Sequence, residues 1–299
     1  MKLVSYRSGG EIRLGVLEGE RVIDLQRAGE VAGKRLPTDM LSFIALGEAG
    51  LDDAEAALSK GKEEAAVSGQ VRLAAPIPQL RKNVFCVGRN YKAHIEEGFR
   101  ARNEPVVYPS HLELFSKPPT TVTGHEDEIR WDSRATQKLD YEVEFGLVIG
   151  KDGRDISTAR AYEHIYGYTI GNDVSAREVQ RNHGQWFKGK SFDTFCPMGP
   201  CIVPKRYYDK PQNARLITRV NGETRQDSNT ADMLYDIPRI MEILSTSMTV
   251  ETGDVVITGT PSGVAMGMSP PGWLKDGDVV ECEIEGIGVL RNRVKEVRE

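Results

Sequence analysis

Glu142-Val143-Glu144 places two carboxylates at strand spacing inside residues 140–149, a run otherwise dominated by apolar and aromatic residues. Side chains alternate along a strand, so Glu142 and Glu144 share one face while Tyr141, Val143 and Phe145 take the other. Two like charges side by side repel unless water screens them or a cation sits between them, and a hard divalent metal is the usual such cation. Asp173 follows a second apolar run, residues 165–172, and offers a third oxygen donor to the same ion. An all-oxygen set of this kind suits Mg²⁺ or Mn²⁺ and leaves positions for water or a chelating substrate. Zinc is disfavoured, because no His or Cys stands at ligand spacing around the acids. Plainer readings stay open: a solvated acidic face for the glutamates, and a cap on a helix over residues 174–181 for Asp173. Ca²⁺ also fits such oxygens, in a crystal or as the structural ion of a non-enzymatic fold.

A second group follows the apolar run Val84-Phe85-Cys86-Val87, in Gly88-Arg89-Asn90-Tyr91-Lys92-Ala93-His94-Ile95-Glu96-Glu97. If a helix begins after Tyr91, His94 and Glu97 are i, i+3 neighbours, and the carboxylate can orient the imidazole as a water-activating base. The same spacing also arises by chance on surface helices. Gly184-Gln185-Trp186-Phe187-Lys188-Gly189-Lys190-Ser191 satisfies the phosphate-loop pattern GxxxxGK[ST]. Its context refuses that role, since a polar segment precedes it and two bulky aromatics occupy the loop. Lys190 is left as a single cation near the acids. Gly259-Thr260-Pro261, after the strand-like run Val255-Val256-Ile257-Thr258, is a turn able to offer the Thr260 hydroxyl and backbone N–H groups to an oxygen, or an ordinary tight turn.

The elements that must hold these groups are mostly strands. Residues 1–25 read as a β meander broken at Gly9-Gly10 and Glu18-Gly19-Glu20, and residues 40–67 carry apolar positions at helical spacing. Ala74-Ala75-Pro76-Ile77-Pro78 interrupts both patterns. It divides a small N-terminal α+β domain, 1–75, from a larger domain, 76–299. Beyond it, strand-like runs at 84–87, 141–149, 165–170, 215–220, 254–258, 278–284 and 288–294 are separated by few regular helices, which predicts a β-rich roll or sandwich rather than alternating βαβ units. Residues 98–112 lack periodicity and read either as a lid carrying Arg100 and Arg102 or as a passive loop.

The chain has 299 residues and a formal charge of −5, enough for a sizeable core and without the basic stripe that nucleic acid or an anionic membrane requires. Four scattered cysteines form no CxxC or ribbon pattern, and no apolar run reaches membrane-spanning length. These features predict a cytoplasmic protein whose partner is a small molecule.

In this order the motifs resemble the fumarylacetoacetate hydrolase family, over roughly residues 83–295. The likeness rests on Gly88-Arg89-Asn90-Tyr91 with His94 and Glu97, Glu142-Val143-Glu144, Asn172-Asp173-Val174-Ser175-Ala176-Arg177, Lys190-Ser191-Phe192-Asp193, Val220-Asn221-Gly222-Glu223 and Thr258-Gly259-Thr260-Pro261-Ser262-Gly263-Val264. The resemblance implies an α+β, β-rich catalytic domain of mixed roll type, usually a homodimer. It implies Mg²⁺ or Mn²⁺ on Glu142, Glu144 and Asp173, a catalytic dyad of His94 and Glu97, and Lys190 beside a developing oxyanion. Arg89, Tyr91, Arg177 and Thr260 are the expected substrate-binding positions. The leading expectation is hydrolysis of a carbon–carbon bond in a 2,4-dioxo acid, such as an acylpyruvate or fumarylpyruvate from aromatic catabolism. The alternative is a lyase or isomerase of a 2-oxo acid: oxaloacetate decarboxylation or tautomerisation, 5-carboxymethyl-2-hydroxymuconate isomerisation, or ureidoglycolate cleavage.

Overall fold

The apolar run around the two glutamates forms the strand Val143–Ile149, buried along its whole length. In this computed structural model, which describes residues 1–297, Val143, Phe145, Leu147 and Ile149 enter one core and Val148 a second. The strand pairs antiparallel with Ile165–Asn172 on one side and Val255–Ile257 on the other. Val255–Ile257 runs parallel to Val84–Gly88, whose far neighbour is Glu113–Lys117. On the other flank Ile165–Asn172 pairs with Cys196–Pro204. These strands belong to an eleven-stranded mixed sheet.

A second sheet orders Glu223–Asn229, Arg215–Val220, Val279–Ile284, Gly288–Glu296 and Glu128–Trp131. Its inner residues Leu216, Val280 and Leu290 share a core with Phe145, Leu147 and Tyr168 of the first. Alternating burial along Val279–Ile284 shows the period-two pattern that makes one sheet face apolar. The architecture is the β-rich α+β roll that the sequence predicts.

At the N-terminus the expected meander forms as Leu3–Ser8, Glu11–Glu18 and Arg21–Asp24. Asp24 caps the helix Leu25–Ala32 by accepting from Arg27 N at 2.8 Å, and pairs with Arg13 at 2.6 Å. Helices Met40–Ile44 and Gly47–Gly61 cover the meander. Leu3, Ile23 and Phe43 then share an apolar cluster with Val84, Val148, Ile202 and Ile257, and Leu3 pairs in register with Ile202. Sheet and core therefore both run across the Ala74–Pro78 segment.

Two strands depart from expectation. Cys196–Pro204 contains Pro197, Pro200 and Pro204, residues that cannot donate to a ladder and so read as a break, yet every residue is buried between Ile165–Asn172 and Leu3–Ser8. Glu223–Asn229 is wholly polar, as an edge strand of its sheet can be. The helix expected from Val174 begins at Arg177 instead, since Ser175–Ala176 pairs with Leu139–Asp140. All four cysteines are buried and unbridged. No described helix is long and apolar enough to cross a membrane.

Candidate active site

Register brings the acids together. Val143 lies opposite Asn172 and Glu144 opposite Gly171, so Asp173 comes abreast of Glu142, to whose carbonyl its N–H donates at 2.9 Å. Glu142, Glu144 and Asp173 each present a carboxylate oxygen within 4.8 Å of the others, and all three are buried. Asp173 does not cap a helix. Its Oδ1 accepts from Lys117 Nζ and its Oδ2 from Lys190 Nζ at 2.6 Å. Lys190 also donates to Glu142 Oε2 at 2.7 Å, while Arg177 Nη2 donates to Glu142 Oε1 at 2.6 Å and Arg177 Nε to Asp140 Oδ2 at 2.8 Å.

The environments of the two glutamates differ. Burial alone would push the Glu142 carboxyl up, but Lys190, Arg177 and the nearby His94 hold it well below the usual range. Burial, Asp173 and Glu142 drive Glu144 well above it, against one donated backbone bond from Gly259 N at 2.7 Å. Gly259 sits at φ +96°, and a Cβ there would lie 2.7 Å from Asn90 Cβ. Asn90 in turn donates to Thr258 O at 2.8 Å and accepts from Tyr235 N at 2.8 Å, which fixes the turn.

The expected helix after Tyr91 runs Lys92–Ala101. His94 Nδ1 lies 3.3 Å from Glu97 Oε2, and the other Glu97 oxygen accepts from Gly263 N at 2.9 Å. Asp140 ties this side down, since its carboxylate also accepts from Ala265 N at 2.7 Å. His94, the three acids and Lys190 border one cavity of about 840 Å³, walled by Phe99, Trp186 and Trp273, and Glu97 holds His94 from outside that lining. Trp186 packs so closely on Gly88 that a Cβ there would meet its ring at 2.2 Å.

Of the four expected substrate-binding residues, Arg89, Arg177 and Thr260 reach this cavity. Arg89 pairs with Glu113. The Thr260 hydroxyl donates to Val143 O at 2.9 Å and accepts from Gln226 Nε2 at 2.8 Å. Tyr91 is not brought to the cavity: it is 1% exposed, and its buried hydroxyl has no hydrogen-bond partner among the described residues. The helix Arg177–Asn182, rather than a strand, leads into Gly184, so the phosphate-loop pattern has no structural support. The segment after Ala101 folds back on its helix through Tyr108, whose hydroxyl donates to Glu96 at 2.6 Å. Lys117, Asp140 and Gln226 are residues that sequence reasoning left without a role.

The cluster fits a divalent cation. Three buried carboxylates converge there, and with Asp140 they set four acids against the three cations Lys117, Lys190 and Arg177, which leaves the cluster short of positive charge. Hard oxygen donors are the set that Mg²⁺ or Mn²⁺ takes.

The β-rich roll thus gathers three buried acids, His94, Arg177 and Lys190 around one cavity. The chain belongs to the fumarylacetoacetate hydrolase family: the family profile described as "Fumarylacetoacetate (FAA) hydrolase C-terminal" matches residues 83–295. It is 41% identical over 289 residues to oxaloacetate tautomerase YisK of Bacillus subtilis, covering 93% of this chain and 94% of that protein. Among solved structures it resembles fumarylacetoacetate hydrolase from psychrophilic Exiguobacterium antarcticum, with a TM-score of 0.83 and 40% identity over 99% of this chain and 100% of that one. It also resembles 5-carboxymethyl-2-hydroxymuconate delta-isomerase from Mycobacterium smegmatis, with a TM-score of 0.75 and 34% identity over 100% of both chains.

Proposed function

We propose that the protein is a tautomerase of a 2-oxo dicarboxylic acid, with oxaloacetate as substrate. The observation that carries this reading is His94, held by Glu97, bordering the same cavity as the three acids and Lys190. Interconverting ketone and enol needs one base that takes a proton from carbon, a cationic surround for the charge left on oxygen, and return of that proton to oxygen. His94 is the base. Glu97 fixes the imidazole and balances its charge when protonated, and is itself fixed by Gly263. Lys190 and Arg177 supply positive charge beside the developing oxyanion. A C–H bond breaks, an O–H bond forms, and no co-reactant is consumed. Glu142, Glu144 and Asp173 would hold Mg²⁺ or Mn²⁺, which supplies Lewis acidity toward the 2-oxo acid. Arg89 and Thr260 complete the polar lining.

The names of the relatives support this order of readings: the Bacillus relative is called a tautomerase and the Mycobacterium structure an isomerase. Hydrolysis of a 2,4-dioxo acid, the leading expectation from sequence, becomes the second reading. The Exiguobacterium structure named as a hydrolase favours it, as does the capacity of a His–Glu pair to activate water. Decay of enol-oxaloacetate absorbance with Mg²⁺ or Mn²⁺, a chelator control, and a parallel panel of acylpyruvate and fumarylpyruvate separate the two. The expected result is metal-dependent acceleration of tautomerisation that falls about 100-fold or more in His94→Asn. Pyruvate release from acylpyruvates without tautomerase activity would reverse the order, and inert substrates throughout would sink both.

A further inference from the structure

We infer that Arg181 and Lys138, both on the wall of the cavity, form the subsite for the second carboxylate of the substrate and set the preference for a diacid over a monoacid. The inference rests on the 2-oxo diacid reading above and names the residues that would read the distal charge.

It follows from an inventory of the cations around the cavity. Arg89 is paired with Glu113, Arg102 with Glu104, Arg177 with Asp140 and Glu142, and Lys190 with Glu142 and Asp173. Arg181 and Lys138 line the same cavity, and neither has an ion pair among the described residues. Glu178, an acid of the same helix that also lines the cavity, is engaged elsewhere: its carboxylate accepts from Thr136 Oγ1 at 2.6 Å and Gln137 N at 2.8 Å, with Lys138 close enough to act on it electrostatically.

Position supports the assignment. Arg181 stands four residues beyond Arg177 on the helix Arg177–Asn182, so the two share a face about 6 Å apart along the axis. Arg177 is buried at the acid cluster, whereas Arg181 is exposed one turn further out. Lys138 is held against the start of that helix, its carbonyl accepting from Arg177 N at 3.0 Å. A 2-oxo acid with its reacting end at Glu142, Glu144 and Asp173 would extend past Arg177 toward these two cations. A planar guanidinium there offers a carboxylate two parallel hydrogen bonds. A monoacid of the same length would leave both cations in water and gain nothing from them.

Binding, rather than turnover, tests this directly. Trp186 and Trp273 line the cavity, so their fluorescence reports occupancy in the full-length protein with Mg²⁺ present. Malate and lactate share the 2-hydroxy acid end and differ in the second carboxylate. The wild type is expected to bind malate at least tenfold more tightly than lactate. Arg181→Gln should lose most of that preference by weakening malate alone, Arg181→Lys should retain part of it, and adding Lys138→Gln to Arg181→Gln should abolish it. Equal weakening of both acids in Arg181→Gln, an unchanged ratio, or no wild-type preference overturns the inference. If the binding preference behaves as expected while oxaloacetate is not turned over, the subsite stands and the tautomerase reading falls.

Discussion

Lys117 carries its ammonium at complete burial, bonded to Asp173 Oδ1 and to Val174 O at 3.2 Å. It holds one oxygen of a candidate metal ligand from outside the cavity lining, while Lys190, which lines the cavity, holds the other. Replacing it with Met keeps the bulk and leaves Asp173 short of a cation. Lys117→Met should therefore cost about 3–5 kcal/mol, read as a lower melting temperature in metal-free buffer. An unchanged Tm would mean that Asp173 does not depend on this partner. The residues proposed to carry the chemistry were legible as motifs: His94 with Glu97, the two glutamates, Asp173 and Lys190. Lys117 was not, because a lysine at the end of Glu113–Lys117 reads as a charged strand terminus, and its partner lies 56 positions away. Asp140 was hidden in a similar way. Nothing local signals that its carboxylate joins Arg177 to the Ala265 backbone.

At the scale of elements, the acid cluster is a product of strand register. A slip of one residue between Val143–Ile149 and Ile165–Asn172 would turn Glu142 and Glu144 to the opposite face. The Gly259 turn is the second device, because it aims one N–H at the acid with the greatest excess of negative charge around it. Gly259→Ala adds strain at φ +96° and a clash with Asn90, so the turn must shift. Metal affinity should weaken about 10-fold or more, measured by Mn²⁺ titration with electron paramagnetic resonance. An unchanged affinity would remove the turn from the site's support. Alternation and apolar runs made the central strands visible in sequence, since burial on one or both faces imposes them. Cys196–Pro204 escaped because its prolines break the hydrogen-bonding expectation, and Glu223–Asn229 because an edge needs no apolar pattern.

At the scale of the molecule, the composition shift near Ala74–Pro78 is real, but hydrophobic burial does not respect it. We propose that residues 1–75 form a unit of sequence pattern without being a unit of stability. Deleting them would strip the cluster that Leu3, Ile23 and Phe43 share with Val84, Val148 and Ile257 and expose the edge of Cys196–Pro204. The truncated chain should lose cooperative thermal unfolding and aggregate; a soluble fragment 76–299 with a sharp transition would show the division to be structural. The buried cysteines have a different kind of consequence. Burial raises the Cys86 thiol well above its ordinary value and pushes Cys196, Cys201 and Cys282 up to about 12, so none offers a thiolate to a reagent near neutral pH. The native protein is thus a silent background for thiol labelling. A single cysteine introduced on the exposed stretch at Val107 would be the one reactive sulfur, and a spin label or fluorophore there would report whether that stretch changes position when a small acid binds.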